Sequence, residues 1–428
     1  MQDAYDESAL KPYFNWAVLT NGKEWRLYHR DSQTTSYFSL NLERAVKDLK
    51  SFKYFYILFH ASAFIQDESN TCRLDSILNE SLDKQAKLEK NLKLRIYRVL
   101  ETLATGYYRH HLNKIDNLDL LYRTCLIFLY RLLFILYAEG RGLLPVKPYG
   151  AGSNIKYRTK FSLARLKDRL QHDKISRDDD VFSRLDVEIK DLFNLINGTE
   201  IQLNEYSNVP RYNGGLFDPE RHPELNQWKV GDWTLREVIR GLMFAPPPNR
   251  ARDTMSVDFT ESIDYSDLDV RQLGTIYEGL LEHHLELKSN DELELVEDKT
   301  KRRSSGSYYT PDYIVNYIVK ETIQPLLDGI EKSEEVIQSI NKDQHDNSYA
   351  LRALNLKILD PAMGSDHFLV RAAEYLAEKI AYHPTTKLAV EVKPRDESQD
   401  MAEINFWKRR VVESCIYGVD LYFIHKAA

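Results

Sequence analysis

The sequence predicts a mixed fold: a β-rich opening, a large, mainly α middle and an α/β unit at the end. Three observations carry the prediction. An Asn-Gly pair, Asn21 and Gly22, joins YFNWAVLT to EWRLYHR, two runs rich in aromatic and β-branched residues, which is a strong hairpin signal. From about residue 86 apolar residues recur at spacings of three and four, as on one face of a helix. Near the end KILDPAMGSDHFLVRAA, residues 357–373, reads as a buried strand, a tight loop and an amphipathic helix.

Length and composition bound what these elements can build. At 428 residues the chain exceeds one typical core and suggests two or three domains. Hydrophobic residues at 43% and aromatic ones at 11% exclude a disordered chain. The net charge of −7 leaves no overall basic footprint, so contact with nucleic acid would need local patches. Cys72, Cys125 and Cys415 are far apart and form no metal-binding spacing, which predicts buried thiols and suits a reducing cytoplasm. The opening MQDAYDESALKPY has no signal-peptide pattern. LLYRTCLIFLYRLLFILYAEG, residues 120–140, contains Arg123 and Arg131, which argues for a core helix and against a membrane span.

In chain order, β signals run from residue 13 to 60, through the hairpin and TTSYFSL. KLEKNLKLRIYRVLETLATGYYRHHL, the apolar stretch above, FSLARLKDRLQ and VFSRLDVEIKDLFNLING follow as helices. Residues 201–260 read as looser, with YNGGLFD and the Ala245-Pro-Pro-Pro-Asn249 break. QLGTIYEGLLEHHLEL resumes a helix, ELELVED is a short strand, and KRRSS is a basic turn before a new unit at Gly306. Asp186, Glu188 and Lys190 imitate a nuclease ExK set, but their apolar neighbours are spaced for a helix, so no metal role is expected. The neighbouring pairs His110-His111 and His283-His284 diverge on a helix and read as surface or packing residues.

Chemistry concentrates after residue 301. In GSYYTPDYIVNYIVKETI, Thr310 suits an N-cap, Pro311 the first helical turn and Asp312 the positive end of the helix dipole, with 314, 315, 318, 319 and 323 as a buried stripe. LKILD is apolar enough for a strand covered on both faces, followed by the Pro361-Ala-Met-Gly-Ser loop and a helix striped by Phe368, Ala372, Leu376 and Ile380. Ligands of open α/β sheets bind beyond the carboxyl ends of strands, here over Asp360 to Asp366. No phosphate-cradling glycine motif is present. CIYGVDLYF supplies a second strand ending in Asp420, an arrangement by which α/β folds hold ribose hydroxyls.

GSYYTP, LDPAMGS-x-HFL and YGVDL, in that order, resemble motifs X, I and II of the amino-methyltransferases that use S-adenosylmethionine on DNA. More narrowly they resemble type IIG (type IIL-like) restriction-modification enzymes, in which a nuclease, a helical connector, an adenine-N6 methyltransferase and a target-recognition domain are fused. BREX methyltransferases are near relatives. LTNGKEWRLYHR, RLLFILYAEGRGLLP, YNGGLFD and LGTIYEGLLEH extend the likeness over nearly the whole chain. The resemblance implies a remnant of a nuclease-like β domain at 1–65, a helical connector at 66–290 and a truncated Rossmann-like, S-adenosylmethionine-dependent methyltransferase domain at 291–428. It implies that Tyr308, Thr310 and Pro311 hold the methionine end of the cofactor, that Asp360, Pro361, Ala362 and Gly364 line the cofactor loop, and that Asp420 binds the ribose. Lys301, Arg302 and Arg303 are candidate phosphate contacts, with a solvated basic turn as the simpler reading. The implied partners are double-stranded DNA and a second polypeptide carrying the rest of the methyltransferase, with no membrane.

The sequence also departs from the family. The tetrapeptide [DNS]PP[YFW], which holds a flipped adenine, is absent: APPPNR and NVPRY have the wrong pattern and precede the cofactor motifs. The nuclease acids that bind magnesium would precede the LTNG hairpin and are also absent, so no catalytic or metal-binding residue is assigned. Asp366 stands where the family has Gly, at a cost of roughly 1–3 kcal/mol if the backbone is left-handed, and its charge either impairs cofactor binding by lying near the cofactor's carboxylate or attracts the amino or sulfonium group. Tyr422 and Phe423 replace a usual Asn-Pro. The expectation is a partial adenine-N6 methyltransferase, inactive alone, from an interrupted or decaying reading frame, and poorly stable after about residue 350. The alternative is a non-catalytic module binding DNA or a partner through the helical region.

Overall fold

A computed structural model describes residues 15–30, 37–111, 115–146, 154–172, 176–199, 201–210, 212, 215–245, 261–265, 274, 276, 279–288, 291–297, 310–364, 366–387, 389 and 399–419. The chain forms two compact units, residues 1–92 and 93–428.

In the first unit β1 (Trp16–Thr20), β2 (Glu24–His29) and β3 (Tyr37–Asn41) pair antiparallel in that order. The turn falls where the Asn-Gly pair places it. Gly22 has φ +85°, and Asn21 Oδ1 accepts from the amides of Lys23 and Glu24 at 3.0 and 2.7 Å. The β reading of residues up to 60 is corrected: Leu49–Phe59 is helix α1. Its aromatic residues suit a strand by propensity, but Phe55 and Phe59, one helical turn apart, both meet Trp25 edge-on at 5.1 and 5.4 Å. Helix α2 (Arg73–His110) begins well before residue 86. Asp75 in its first turn accepts from Trp16 Nε1 at 2.8 Å and from the Cys72 amide at 2.7 Å, beside a small core of Leu27, Ala63, Cys72 and Leu74.

The second unit opens with helices α3 (Leu118–Gly140), α4 (Leu163–His172), α5 (Arg184–Asn197) and α6 (Asp232–Met243). The long apolar helix α3 is apolar enough to cross a membrane, yet 72% of its most apolar stretch is buried within the protein. Its two buried charged residues have internal partners. Arg131 Nε donates to the Leu216 carbonyl at 2.7 Å, and its guanidinium lies over the rings of Phe193 and Phe217. Glu139 accepts from Tyr157 Oη and from the amides of Leu163 and Ala164, closing the start of α4, while burial pushes its carboxyl up to about 7.

Two further expectations are corrected here. The described residues between 201 and 245 are less loose than expected, because α6 buries Leu235, Val238, Ile239 and Leu242 as a helical stripe, while residues 246–260, with the proline break, lie outside the described residues. The helix expected over 272–287 is present at the described residues 274, 276 and 279–281 but ends before His283, where β4 (His283–Leu287) pairs antiparallel with β5 (Leu293–Glu297). The ladder, and the Leu293 and Leu295 amides donating to Thr105 Oγ1 and Glu101 Oε1 at 3.0 Å, satisfy backbone that the helical periodicity ignored. His283 and His284 therefore alternate across a strand. His283 Nδ1 meets the Gly279 carbonyl at 2.8 Å and His284 Nε2 meets Glu286 at 3.0 Å.

The C-terminal part comprises α7 (Asp312–Glu331), α8 (Glu334–Asn341), α9 (Ser348–Ala353), β6 (Ile358–Asp360), α10 (His367–Ala381), α11 (Gln399–Cys415) and β7 (Ile416–Gly418). β6 and β7 pair parallel, Ile358 with Ile416 and Asp360 with Gly418, and α11 supplies the helix expected in the crossover. Val315, Val319, Ile323 and Leu327 of α7 share one core with Leu369, Leu376, Trp407, Val411 and Ile416. Of the expected α7 stripe, Val315, Val319 and Ile323 are buried and Ile314 is half-buried, while Ile318 is exposed and Leu327 joins the buried row. Nor is the sheet covered on both faces. Ile358 and Ile416 turn to the helices, whereas Leu359, Val419 and Tyr417 are 60%, 54% and 47% exposed.

Candidate functional site

Three segments far apart in sequence meet at the carboxyl ends of β6 and β7. The first is the start of α7. Pro311, with φ −55° and ψ 142°, occupies the cap position, and its carbonyl accepts from the amides of Ile314 and Val315 at 2.9 and 3.2 Å. This corrects the capping role expected of Thr310: helix begins one residue later, at Asp312, and no side chain caps it. Thr310 precedes it as half-buried coil, while Tyr308 and the Lys301-Arg302-Arg303 turn lie outside the described residues.

The second segment is the loop between β6 and α10. Asp360 ends the strand, and its Oδ1 accepts from the Ala362 amide at 3.0 Å, so the acid folds back to fix the turn. Pro361 and Ala362 form that turn, and Gly364 has φ +52°. Asp366, at φ +63° and ψ 13°, is left-handed too, the conformation the Gly-for-Asp comparison led us to expect. Its amide donates to Met363 O at 2.9 Å, and its carbonyl accepts the first helical bond, from Val370 N at 2.8 Å. Ser365 lies outside the described residues.

The third segment is the end of β7. Val419 N donates to Asp360 O at 2.9 Å, and Val419 O accepts from Met363 N at 3.0 Å, so the ladder continues past the strands into the loop. A Cβ at Gly418 would stand 2.0 Å from Met363 Sδ and 2.9 Å from Leu369 Cδ1, so any side chain here has to displace both as the loop closes over this strand. Asp420 lies outside the described residues.

One contact between segments was not legible in the sequence. His367, first residue of α10, meets Asp312, first residue of α7, with Nε2 2.8 Å from Oδ1. Asp312 was read as a dipole partner for its own helix only, and no local pattern announces a pair made by two helix starts. Gly418 was likewise passed over within YGVDL. Both would require knowing which segments face each other.

The arrangement presents two helix N-termini, of twenty and fifteen residues, beside a loop whose backbone is bared at Gly364. Such a place can take an anionic group on backbone amides and a polar ligand against the loop. Among the described residues, no group of three or more His, Cys, Asp or Glu side chains is placed to hold a metal ion. The ExK look-alike is structural: it lies on α5, with Glu188 held by Arg165 and Arg169 at 2.7 and 3.1 Å and Lys190 held by Asp186 and the Trp228 carbonyl. All three cysteines are buried and unbridged.

No protein-family model matches the chain, and no solved structure matches it. A curated protein of Methanocaldococcus jannaschii, named "Putative type II restriction enzyme and methyltransferase", is 25% identical to it over 323 residues. The aligned stretch covers 68% of this chain and 23% of that relative. This likeness supports a relationship to restriction-modification proteins.

Proposed function

We propose that this chain carries the cofactor-binding part of an S-adenosylmethionine-dependent, adenine-N6 DNA methyltransferase of a type IIG-like restriction-modification or BREX-related system. The observation that carries the reading is convergence. The start of α7, the β6–α10 loop and the end of β7 are the segments matching motifs X, I and II, and they share hydrogen bonds and one core. The residues present fit the cofactor at one end. Thr310 and Pro311 stand at one helix start and Gly364 bares backbone at the other, where a carboxylate would meet amides and dipole. Asp360, Pro361 and Ala362 shape the loop, and Tyr308 and Asp420 complete the proposed set.

Bound there, the cofactor would supply a sulfonium methyl group for direct transfer to the amine of a flipped adenine in double-stranded DNA. Residues 1–428 hold no [DNS]PP[YFW] tetrapeptide after the cofactor motifs, and in this reading the base-holding groups lie outside these residues, on a second polypeptide or further along the same one. Cytoplasmic residence, absence from membranes, a nuclease-like origin for residues 1–65 and a helical connector over 66–290 belong to the same reading. Magnesium would serve only a nuclease part whose acids are not among these residues.

The test is titration calorimetry with S-adenosylmethionine on the wild type and on Asp366→Gly. Binding by either, with weakening in Asp360→Ala, supports the reading; binding by neither ends it for this chain. A second reading, a non-catalytic partner-binding module, is favoured by the outward apolar row Leu359, Tyr417 and Val419. It predicts association with a polypeptide that supplies further strands, and no cofactor heat.

A further inference from the structure

We infer that Asp312 and His367 form a positioning pair that locks the two halves of the cofactor site together, an inference that rests on the function proposed above. Neither residue belongs to the set assigned from the motifs. Each is the first residue of its helix, and the Nε2–Oδ1 distance is 2.8 Å. The His367 side chain is only 13% exposed, so water competes weakly for the contact. An Nε2–H is available in one neutral tautomer and in the cation, so the contact does not require a charged ring.

Three other ties of the loop lead elsewhere. Ala362 N is held by Asp360, Met363 N by Val419 and Asp366 N by Met363, so these bonds fasten the loop to its own strand, to β7 and to itself. The apolar core joins α7 and α10 along their lengths, from Val315 and Leu369 in their first turns onward, and the polar pair adds a directional tie at their first residues. His367 directly follows left-handed Asp366, so holding its ring also restrains the loop conformation most in need of support. Asp312 has a second effect. One carboxylate lies at the positive ends of two helices, favourable to both dipoles, and draws their starts to a common point. Under the proposed function Thr310 and Pro311 act from the α7 side and Gly364 from the α10 side, so this pair sets their separation. His367 and Asp312 are positioning residues, acting through the loop and the helix start.

The experiment combines residue-resolved amide exchange with cofactor calorimetry on the full chain and on His367→Ala, Asp312→Ala, the double variant, His367→Gln and His367→Asn. Glutamine can carry its Nε2 to about the imidazole position, while asparagine falls short. The lock requires either alanine variant to speed exchange in both 312–316 and 366–370, the double variant to add little, and glutamine but not asparagine to restore protection. The inference is overturned if each substitution loosens only its own segment, or if the two alanine effects add. Should an alanine variant fail to fold, glutamine and asparagine decide, and equal exchange in both overturns it.

In calorimetry, each alanine variant should weaken S-adenosylmethionine binding by up to about tenfold, the scale expected on losing one half-buried polar contact, with glutamine restoring most of it. Undiminished binding by both alanine variants would also sink the inference. A wild type that binds no cofactor would remove the functional reading, and the exchange arm would still decide whether the lock exists.

Discussion

The helical region of the second unit and its C-terminal α/β part are built from similar proportions of apolar residues but end in different states. Around α3 the packing is closed: Cys125, Phe128, Leu129 and Ile135 are fully buried, and even Arg131 and Glu139 find internal partners. Around β6 and β7 one face is packed and the other shows Leu359, Tyr417 and Val419 to solvent. A helix satisfies its own backbone, so neighbours need only cover side chains. A parallel strand pair has outer edges and a second face that only further elements can satisfy. The closed region satisfies itself, while the open one, with its left-handed loop, leaves an apolar face to solvent.

Truncation of a side chain in each region gives the largest contrast. Phe128→Ala should destabilise by about 4 kcal/mol, because it opens a cavity where nothing can collapse, whereas Leu359→Ala should cost under about 1 kcal/mol. Thermal unfolding of the two variants checks this. A large loss at Leu359 would mean that the outer face is covered in solution and would break the comparison.

Next comes pH. Glu139 is deeply buried, and its carboxyl is raised from 4.5 to about 7 because burial outweighs the hydrogen bonds from Tyr157, Leu163 and Ala164. The folded protein therefore holds this proton more tightly than the unfolded chain. The sign follows: the contribution is fully present below about pH 4.5 and is lost as pH rises through about 7, amounting to about 3 kcal/mol. Urea unfolding at pH 5 and pH 8 should show the slope, and Glu139→Gln should flatten it. An unchanged slope in that variant would assign the effect to another group.

How legible all this was differs between the regions as well. The closed region could be read from periodicity, because α3, α4 and α5 fold by burying the stripe their sequence displays. Reading failed where partners overrode pattern: α1 is helical because Phe55 and Phe59 share Trp25, and β4 is a strand because β5 pairs with it. At the site, the strand–loop–helix and the second strand were visible in order, and Asp366 was marked as the strained position. The Asp312–His367 pair and the need for Gly418 were not, since both depend on approach between distant segments. Gly418→Ala sharpens that point. Displacing Met363 and Leu369 should cost about 2 kcal/mol and loosen the loop, read as faster exchange at Met363 and Asp366. A neutral result would mean that the methionine swings aside freely.

The smallest effect concerns Asp366 itself. At φ +63° an L residue carries a penalty that glycine does not, although aspartate bears it better than most residues. Glycine also gives the unfolded chain more freedom, which offsets part of the gain. The net for Asp366→Gly should be a stabilisation of under about 1 kcal/mol, and Asp366→Ala should be worse than either. Thermal unfolding orders the three. If glycine instead destabilises, then the carboxylate is supplying a contact worth more than the backbone strain, and Asp366 is a residue the loop uses.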